Sequence, residues 1–268
     1  MEPLERLEAV IRQYPSALVA YSGGVDSALL AVAARRVLGD KALAITAASP
    51  SLPPRELEAA SAFARAQGLN HRVIRTDEMA NEQYTANPAN RCYFCKDELF
   101  TKLDALARDE DFAVVMDGFN QDDKGDYRPG HQAAREHATA SPLAEAGLGK
   151  ADVRAIAKAL GLAVWDKPAA ACLSSRIPYG TPVTTEALAR IDAAEVVLAG
   201  LGFTSARVRH HGDLARVEVP PAELEWAFKQ REAIVAGLKD AGYLWVTLDL
   251  EGYRMGSLNA ALQHHGSR

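Results

Sequence analysis

The stretch that most limits what this chain can become is residues 18–30, LVAYSGGVDSALL. An apolar run ends at Tyr21, three small residues follow, and a second apolar run begins within three positions. The first run reads as a strand and the second as a helix that starts near Asp26, with a tight loop of Ser22, Gly23 and Gly24 between them. Glycine lets the backbone turn sharply and lets an anion come close. Loop amides and the N-terminus of the next helix then point at one place, which suits a phosphate group. The loop lacks the Gly-Lys-Ser/Thr ending of a Walker A motif, and it is not the G-x-G-x-x-G dinucleotide fingerprint. The plain alternative is a Gly-rich turn in which Asp26 helps to start a helix.

The segments around this loop extend the pattern. Residues 16–21, 41–46, 71–76 and 112–117 read as strands, and three of the four are nearly continuous apolar runs, as in a parallel sheet covered on both faces. Helical patterns at 26–38 and 54–67 end at Gly39 and Gly68. The expectation is an α/β fold with a parallel sheet, its ligands at the carboxyl ends of the strands. After the Pro-, Gly- and Ser-rich stretch 167–184 the pattern changes to a helix (184–200), a hairpin around Gly212 (204–219), a helix (221–239) and a strand (243–250). This is a small α+β module. The expected division is a domain over 1–180 and a second over 181–268.

Composition narrows the class of function. The 268 residues carry a net charge of −5, which argues against a large nucleic-acid footprint, and no apolar run is long enough to cross a bilayer. MEPLERLEAV at the start is charged and amphipathic rather than an apolar leader. Three cysteines are too few, and odd in number, for a disulfide framework. The cytoplasm is the expected compartment.

Cys92 and Cys95 form CYFC at a helix start, on one face with Leu99, so both are expected to point toward protein. Cys172 stands alone in AACLSSR. Inert buried thiols, a zinc site short of ligands, a redox dithiol and a 4Fe–4S cluster are the alternatives. Three thiolates suit a cluster that leaves one iron open, and this reading is favoured because it uses all three.

Two polar stretches add candidates. After the fourth strand come Asp117, Asn120, Asp122, Asp123, Asp126 and Arg128, a group suited to a nucleotide or Mg²⁺. Lys150 and Arg154 lie one helical turn apart and face either the phosphates or solvent. On 207–211, Arg207, Arg209 and His211 share a strand face, where they clamp a phosphate or simply guard a sheet edge. His264 and His265, in the polar tail, are assigned no role.

SGGVDS resembles the PP-loop of the ATP pyrophosphatases, which cleave ATP to AMP and pyrophosphate. That resemblance implies ATP contacts at Ser22, Gly23, Gly24, Asp26, Ser27 and Asp122, with Asp26 assisting Mg²⁺, and adenine near Thr46 to Ala48. Together with SGGVDS, the stretches DGFNQDDKGDYRPG, WDKPAAACLSSRIPYGTPVT, RVRHHGDLARVEV and LDLEGYRMGSLN are similar, in order, to the LarE family of ATP-dependent sulfur transferases. The implied substrate is a pyridinium dicarboxylate mononucleotide, a small molecule. ATP activates one carboxylate, and sulfur displaces AMP to leave a thiocarboxylate used in a nickel-pincer cofactor. In the single-cysteine type the residue matching Cys172 gives up its own sulfur. With Cys92 and Cys95 present, this chain resembles the three-cysteine members, and Cys92, Cys95 and Cys172 become cluster ligands. Asp26 and Cys172 are the implied catalytic positions. Ser175, Arg176, Arg207 and Arg209 are the implied substrate contacts, with Glu195 a further carboxylate. The resemblance also implies a homo-oligomer; it leaves the sulfur donor open. The main rival is a tRNA thiolase of the same loop and cluster type, which would need the basic surface that this composition lacks.

Overall fold

The computed structural model describes residues 2–125, 129–168, 171–254 and 256–259. Asp126, Arg128, His264 and His265 lie outside the described residues. The chain divides into two compact units, Met1–Glu78 with Asn90–Ala170, and Met79–Ala89 with Ala171–Arg268.

In the first unit, β1 (Ala17–Ala20), β2 (Ala42–Ala48), β3 (His71–Arg75) and β4 (Val115–Met116) form one parallel sheet in the order β3-β2-β1-β4. Three of the four strands fall inside the segments expected from the sequence, and β2 runs two residues past the expected 41–46. Successive residues of β1 enter opposite cores, which is why the run has no polar interruption. Ala17 and Val19, with Tyr21 just beyond, pack with Leu29, Leu30, Ala33 and Val153 on one side. Leu18 joins Ile45, Phe100 and Leu103 on the other. Each such buried leucine or phenylalanine contributes about 1.5–3 kcal/mol. β3 lies at the edge, and its Arg72, Val73 and Arg75 are exposed.

The strand order sets the position of the glycine loop. The chain leaves β1 toward β2 on one side, and later returns past β1 to place β4 on the other. The carboxyl end of β1 is therefore the switch point of the sheet, where open α/β folds leave a crevice. The loop 22–24 begins there, and the helix Val25–Leu38 follows it directly.

The second unit holds an antiparallel hairpin, β5 (Arg207–His211) and β6 (Leu214–Glu218), with β7 (Trp245–Leu248) parallel to β6. The helix Thr185–Gly200 is capped by Thr184, whose side chain accepts from the Ala187 amide at 3.1 Å. The single helix expected over 221–239 is two, Leu224–Lys229 and Arg231–Asp240, because Gln230 leaves helical geometry at φ −89° and ψ 6°. Residues 79–89 join this unit through Asn87. Its Nδ2 donates to the carbonyls of Pro178 and Thr181 at 2.8 Å each, and its own carbonyl accepts from Gly180 at 2.9 Å. Asn87 has φ +57°, a conformation that asparagine tolerates better than most residues. Among the described residues, no helix is long and apolar enough to cross a membrane.

Candidate functional site

The glycine loop is locked by its own serines. The Ser27 hydroxyl accepts from the Ser22 amide and donates to the Gly24 carbonyl, both at 3.1 Å, and it lies 3.1 Å from the Ser22 hydroxyl. Gly23 has φ +76°, and a Cβ added there would lie 2.9 Å from Cβ of Ala60. Glycine is thus required twice, by the dihedral and by the helix Pro54–Ala66 behind it. The Gly24 carbonyl accepts the first helical bond, from Ala28 at 2.9 Å, so the N–H groups of residues 25–27 have no acceptor inside the helix. That leaves a donor-rich helix end facing the crevice, the arrangement that binds phosphates.

Asp26, in the first turn, is held from two sides. Asn120 Nδ2 donates to Oδ1 at 3.1 Å, and the Lys150 ammonium pairs with Oδ2. Of the two readings of Lys150, the structure has the one that faces the loop. Gly118 brings the loop after β4 against this turn: a Cβ there would lie 2.9 Å from the Ser27 amide nitrogen.

The remaining carboxylates of 117–123 have local partners. Asp117 Oδ1 accepts from the Ser141 hydroxyl at 2.8 Å and the Phe119 amide at 3.2 Å, and burial pushes its pKa up. Asp122 accepts from the Lys150 amide at 2.7 Å, at the N-terminus of the helix Lys150–Ala159, and Asp123 accepts from the Asn120 amide at 3.2 Å. A cavity of about 370 Å³ opens here, lined by Asp117, Phe119, Asp123, Lys124 and His131 among others.

A second lysine reaches the loop. Lys167 Nζ lies 3.3 Å from the Gly23 carbonyl and 2.8 Å from Glu56 Oε2, and the Lys167 carbonyl accepts from Arg154 at 3.3 Å. At the end of β2, Thr46 is buried, donates to the Tyr21 carbonyl at 2.9 Å and lies 2.9 Å from His71 Nε2.

None of the three cysteines is in a disulfide among the described residues. Cys92 and Cys95 sit in the opening turns of the helix Arg91–Asp109. Lys102 donates to the carbonyl of Arg75, the last residue of β3, at 2.9 Å, which sets the start of this helix toward the carboxyl end of the sheet. Cys92 is exposed and Cys95 half-buried, which corrects the expectation that both point into protein. Phe100, Leu103 and Ala107 of this helix are in the core, with Tyr93, Leu99 and Leu106 packed beside them, while Cys92 turns to the exposed face of the first turn. Two thiols one turn apart, one exposed and one half-buried, are residue types that could hold an iron–sulfur cluster. Among the described residues, no three His, Cys, Asp or Glu side chains are gathered as a metal site.

In the second unit, Cys172 leads into the turn Leu173–Arg176. Arg176 is buried and saturated. Its guanidinium makes a two-pronged pair with Glu195 at 2.9 and 3.0 Å and donates to the carbonyls of Ala171 (2.7 Å) and Cys172 (2.9 Å) and to the Ser175 hydroxyl (2.9 Å). Glu195 also accepts from the Val208 amide of β5 at 3.2 Å. Burial acts to raise the Glu195 pKa, yet the hydrogen bonds and charge of Arg176 hold it below the usual range. Arg209 is buried too, donating to the Ser175 carbonyl (3.0 Å), Glu218 (2.6 Å) and Ser257 (3.0 Å). This face of β5 is packed, not a solvated edge, at Arg209. Arg207 is different. It donates to the Ala206 carbonyl at 2.9 Å and stacks 5.3 Å from the Tyr253 ring, with no carboxylate in ion-pair range among the described residues. Burial and then the neighbouring Arg176 charge lower its pKa, against the opposing pull of Glu195.

The chain is 37% identical over 257 residues to pyridinium-3,5-bisthiocarboxylic acid mononucleotide synthase of Lactiplantibacillus plantarum, covering 96% of this chain and 93% of that one. The chain belongs to the LarE family. It is also 51% identical over 262 residues to an uncharacterized protein of Synechocystis sp., 97% of each chain, and 32% identical over 237 residues to one of Methanocaldococcus jannaschii. No family model matches the chain.

Within this LarE-family chain, the structure gathers Ser22, Gly23, Gly24, Asp26 and Ser27 with Asn120 and Lys150 in one unit, and Cys172, Ser175, Arg176, Arg207 and Arg209 in the other. Sequence reasoning missed Lys167 and its partner Glu56. The lysine sits in a polar stretch with no spacing that marks it, and it meets the loop across 144 positions of chain.

Proposed function

We propose that this chain is an ATP-dependent sulfur transferase that converts a carboxylate of pyridinium-3,5-biscarboxylic acid mononucleotide to a thiocarboxylate, with release of pyrophosphate and AMP. The observation that carries the reading is the glycine loop at the switch point of the sheet, with Asp26 fixed by Asn120 and Lys150 at the open end of a helix. The relative from Lactiplantibacillus plantarum is named for the matching product.

The chemistry follows from what each group offers. A carboxylate oxygen leaves poorly, so it first attacks the α-phosphorus of ATP, and pyrophosphate departs with the electron pair of the broken P–O bond. The free N–H groups of residues 25–27 and the Lys150 ammonium stabilise the charge moving onto the departing phosphates. Asp26 is the carboxylate that would hold Mg²⁺, which would supply positive charge to the phosphates. A sulfur nucleophile then attacks the activated carbonyl carbon, and AMP leaves with the former carboxylate oxygen.

Cys92, Cys95 and Cys172 are the three thiolates this chain offers to a 4Fe–4S cluster, which supplies deprotonated sulfide for transfer when bound. In the second unit Arg176 shapes the Cys172 turn, since its donors are spent on Glu195, Ser175 and two carbonyls. Arg207 is the cation left to meet the phosphate of the substrate, beside Ser175 and Arg209. Ser22, Gly24 and Ser27 shape the phosphate cradle, while Asp122 orders the helix that carries Lys150.

Protein purified without oxygen tests both halves. Asp26→Ala is expected to abolish substrate-dependent pyrophosphate release while iron content stays unchanged. Replacing all three cysteines by Ala is expected to remove the iron and thiocarboxylate formation but not the release of pyrophosphate. Unchanged pyrophosphate release in Asp26→Ala would refute the assignment.

A further inference from the structure

Lys167 is a charged group at the glycine loop that the reaction above leaves unused. It comes from the connection after the helix Lys150–Ala159, yet its ammonium ends at the Gly23 carbonyl (3.3 Å) and Glu56 (2.8 Å). Glu56 lies in the first turn of the helix Pro54–Ala66, the same helix whose Ala60 forces Gly23 to be glycine. The loop is thus backed by one helix at two points, a steric one at Ala60 and an ionic one at Glu56.

An ammonium has three donors. Two of those of Lys167 are used, and its side chain remains about a quarter exposed, 23%. Lys150 stands in a similar way on the other flank, paired with Asp26 and 38% exposed. Each lysine is therefore tethered by a carboxylate beside the loop and keeps at least one donor free. A polyphosphate seated on the amides of residues 25–27 carries several negative charges, more than Lys150 alone balances.

We propose that Lys167 is a second cation of the polyphosphate site, held over the Gly23 carbonyl by Glu56, with its free N–H meeting a non-bridging oxygen of the phosphates that leave as pyrophosphate. The assignment rests on the ATP-dependent reading and adds its specificity: the pair of lysines selects a chain of phosphates over a nucleoside or a monophosphate. Neither lysine is needed to recognise the adenosine half.

The test is equilibrium binding to the full-length protein, using three probes: pyrophosphate, α,β-methylene-ATP and adenosine. Lys167→Gln is expected to weaken pyrophosphate and the ATP analogue by about tenfold to a hundredfold, the worth of one charge-assisted hydrogen bond, with adenosine unchanged. Lys167→Arg, which keeps the charge, should recover most of that loss. Equal binding of pyrophosphate by wild type and Lys167→Gln would overturn the assignment and leave the ATP-dependent reading standing. An equal loss for adenosine would mark a collapsed loop rather than a missing cation, and would overturn it too. Wild-type protein that binds neither pyrophosphate nor the analogue would overturn both.

Discussion

The geometry at Gly23 yields a double-mutant test of how the phosphate loop is built. Gly23→Ala carries two costs. An alanine held at φ +76° loses about 1–2 kcal/mol against glycine. Its Cβ would also sit 2.9 Å from Cβ of Ala60, an overlap between two atoms that cannot rotate away, costing about 1–3 kcal/mol. The sum is roughly 2–5 kcal/mol. Ala60→Gly alone removes a methyl from a helix and costs about 1 kcal/mol. In the double variant the overlap is gone but the dihedral strain remains, so the interaction energy should be about 1–3 kcal/mol in favour of the pair. Urea unfolding of the four proteins measures it. The first unit holds one of the three tryptophans, Trp165, which packs against its core. A Trp226→Phe, Trp245→Phe background makes Trp165 the reporter of that unit. Strict additivity would refute the claim that Ala60 is what excludes a side chain at position 23.

Other outcomes follow from single groups. Glu195→Ala leaves the Arg176 charge buried without its partner, at side chains 2–3% exposed, and should destabilise the protein by about 3–5 kcal/mol in urea unfolding. Because the folded pKa of Glu195 is depressed, the stability it provides is present above the unfolded carboxylate pKa. It is lost as pH falls through the lower folded value, and Glu195→Gln should flatten that acid limb. His137 lies 2.6 Å from Asp104 and 3.0 Å from Asp97. Burial opposes its charge, but the two carboxylates outweigh burial and raise its pKa, so its contribution is complete below the ordinary histidine value and fades as pH rises through the folded one. An imidazole titration by NMR at or below the free-histidine value would contradict this. Arg207→Ala should raise KM for the mononucleotide at least tenfold, and KM for ATP should not move; equal shifts in both would count against a phosphate role.

Much of the architecture was legible because it is local. The strands of the parallel sheet show as apolar runs, the helix ends show at Gly39 and Gly68, and the loop shows as small residues between two such runs. What stayed hidden depends on long-range partners. Arg209 reads as a phosphate clamp or an edge charge until Glu218 and the Ser175 carbonyl are found around it. Arg176 reads as a ligand contact until Glu195 is seen to take its fork. Cys92 reads as buried from helical spacing with Cys95 and Leu99, yet in the first turn it is Tyr93 that packs against the core and Cys92 that is exposed. Residues 79–89 join the second unit through the hydrogen bonds of Asn87, the Thr85 carbonyl and the Tyr84 hydroxyl, which no periodicity reveals.

The most direct test of the central claim is to incubate anaerobically purified protein with ATP and pyridinium-3,5-biscarboxylic acid mononucleotide and follow products by mass spectrometry. The account predicts exchange of one carboxylate oxygen for sulfur, matched mole for mole by AMP and pyrophosphate and absent without ATP. Formation of ADP and phosphate instead, or sulfur incorporation with no nucleotide present, would contradict it.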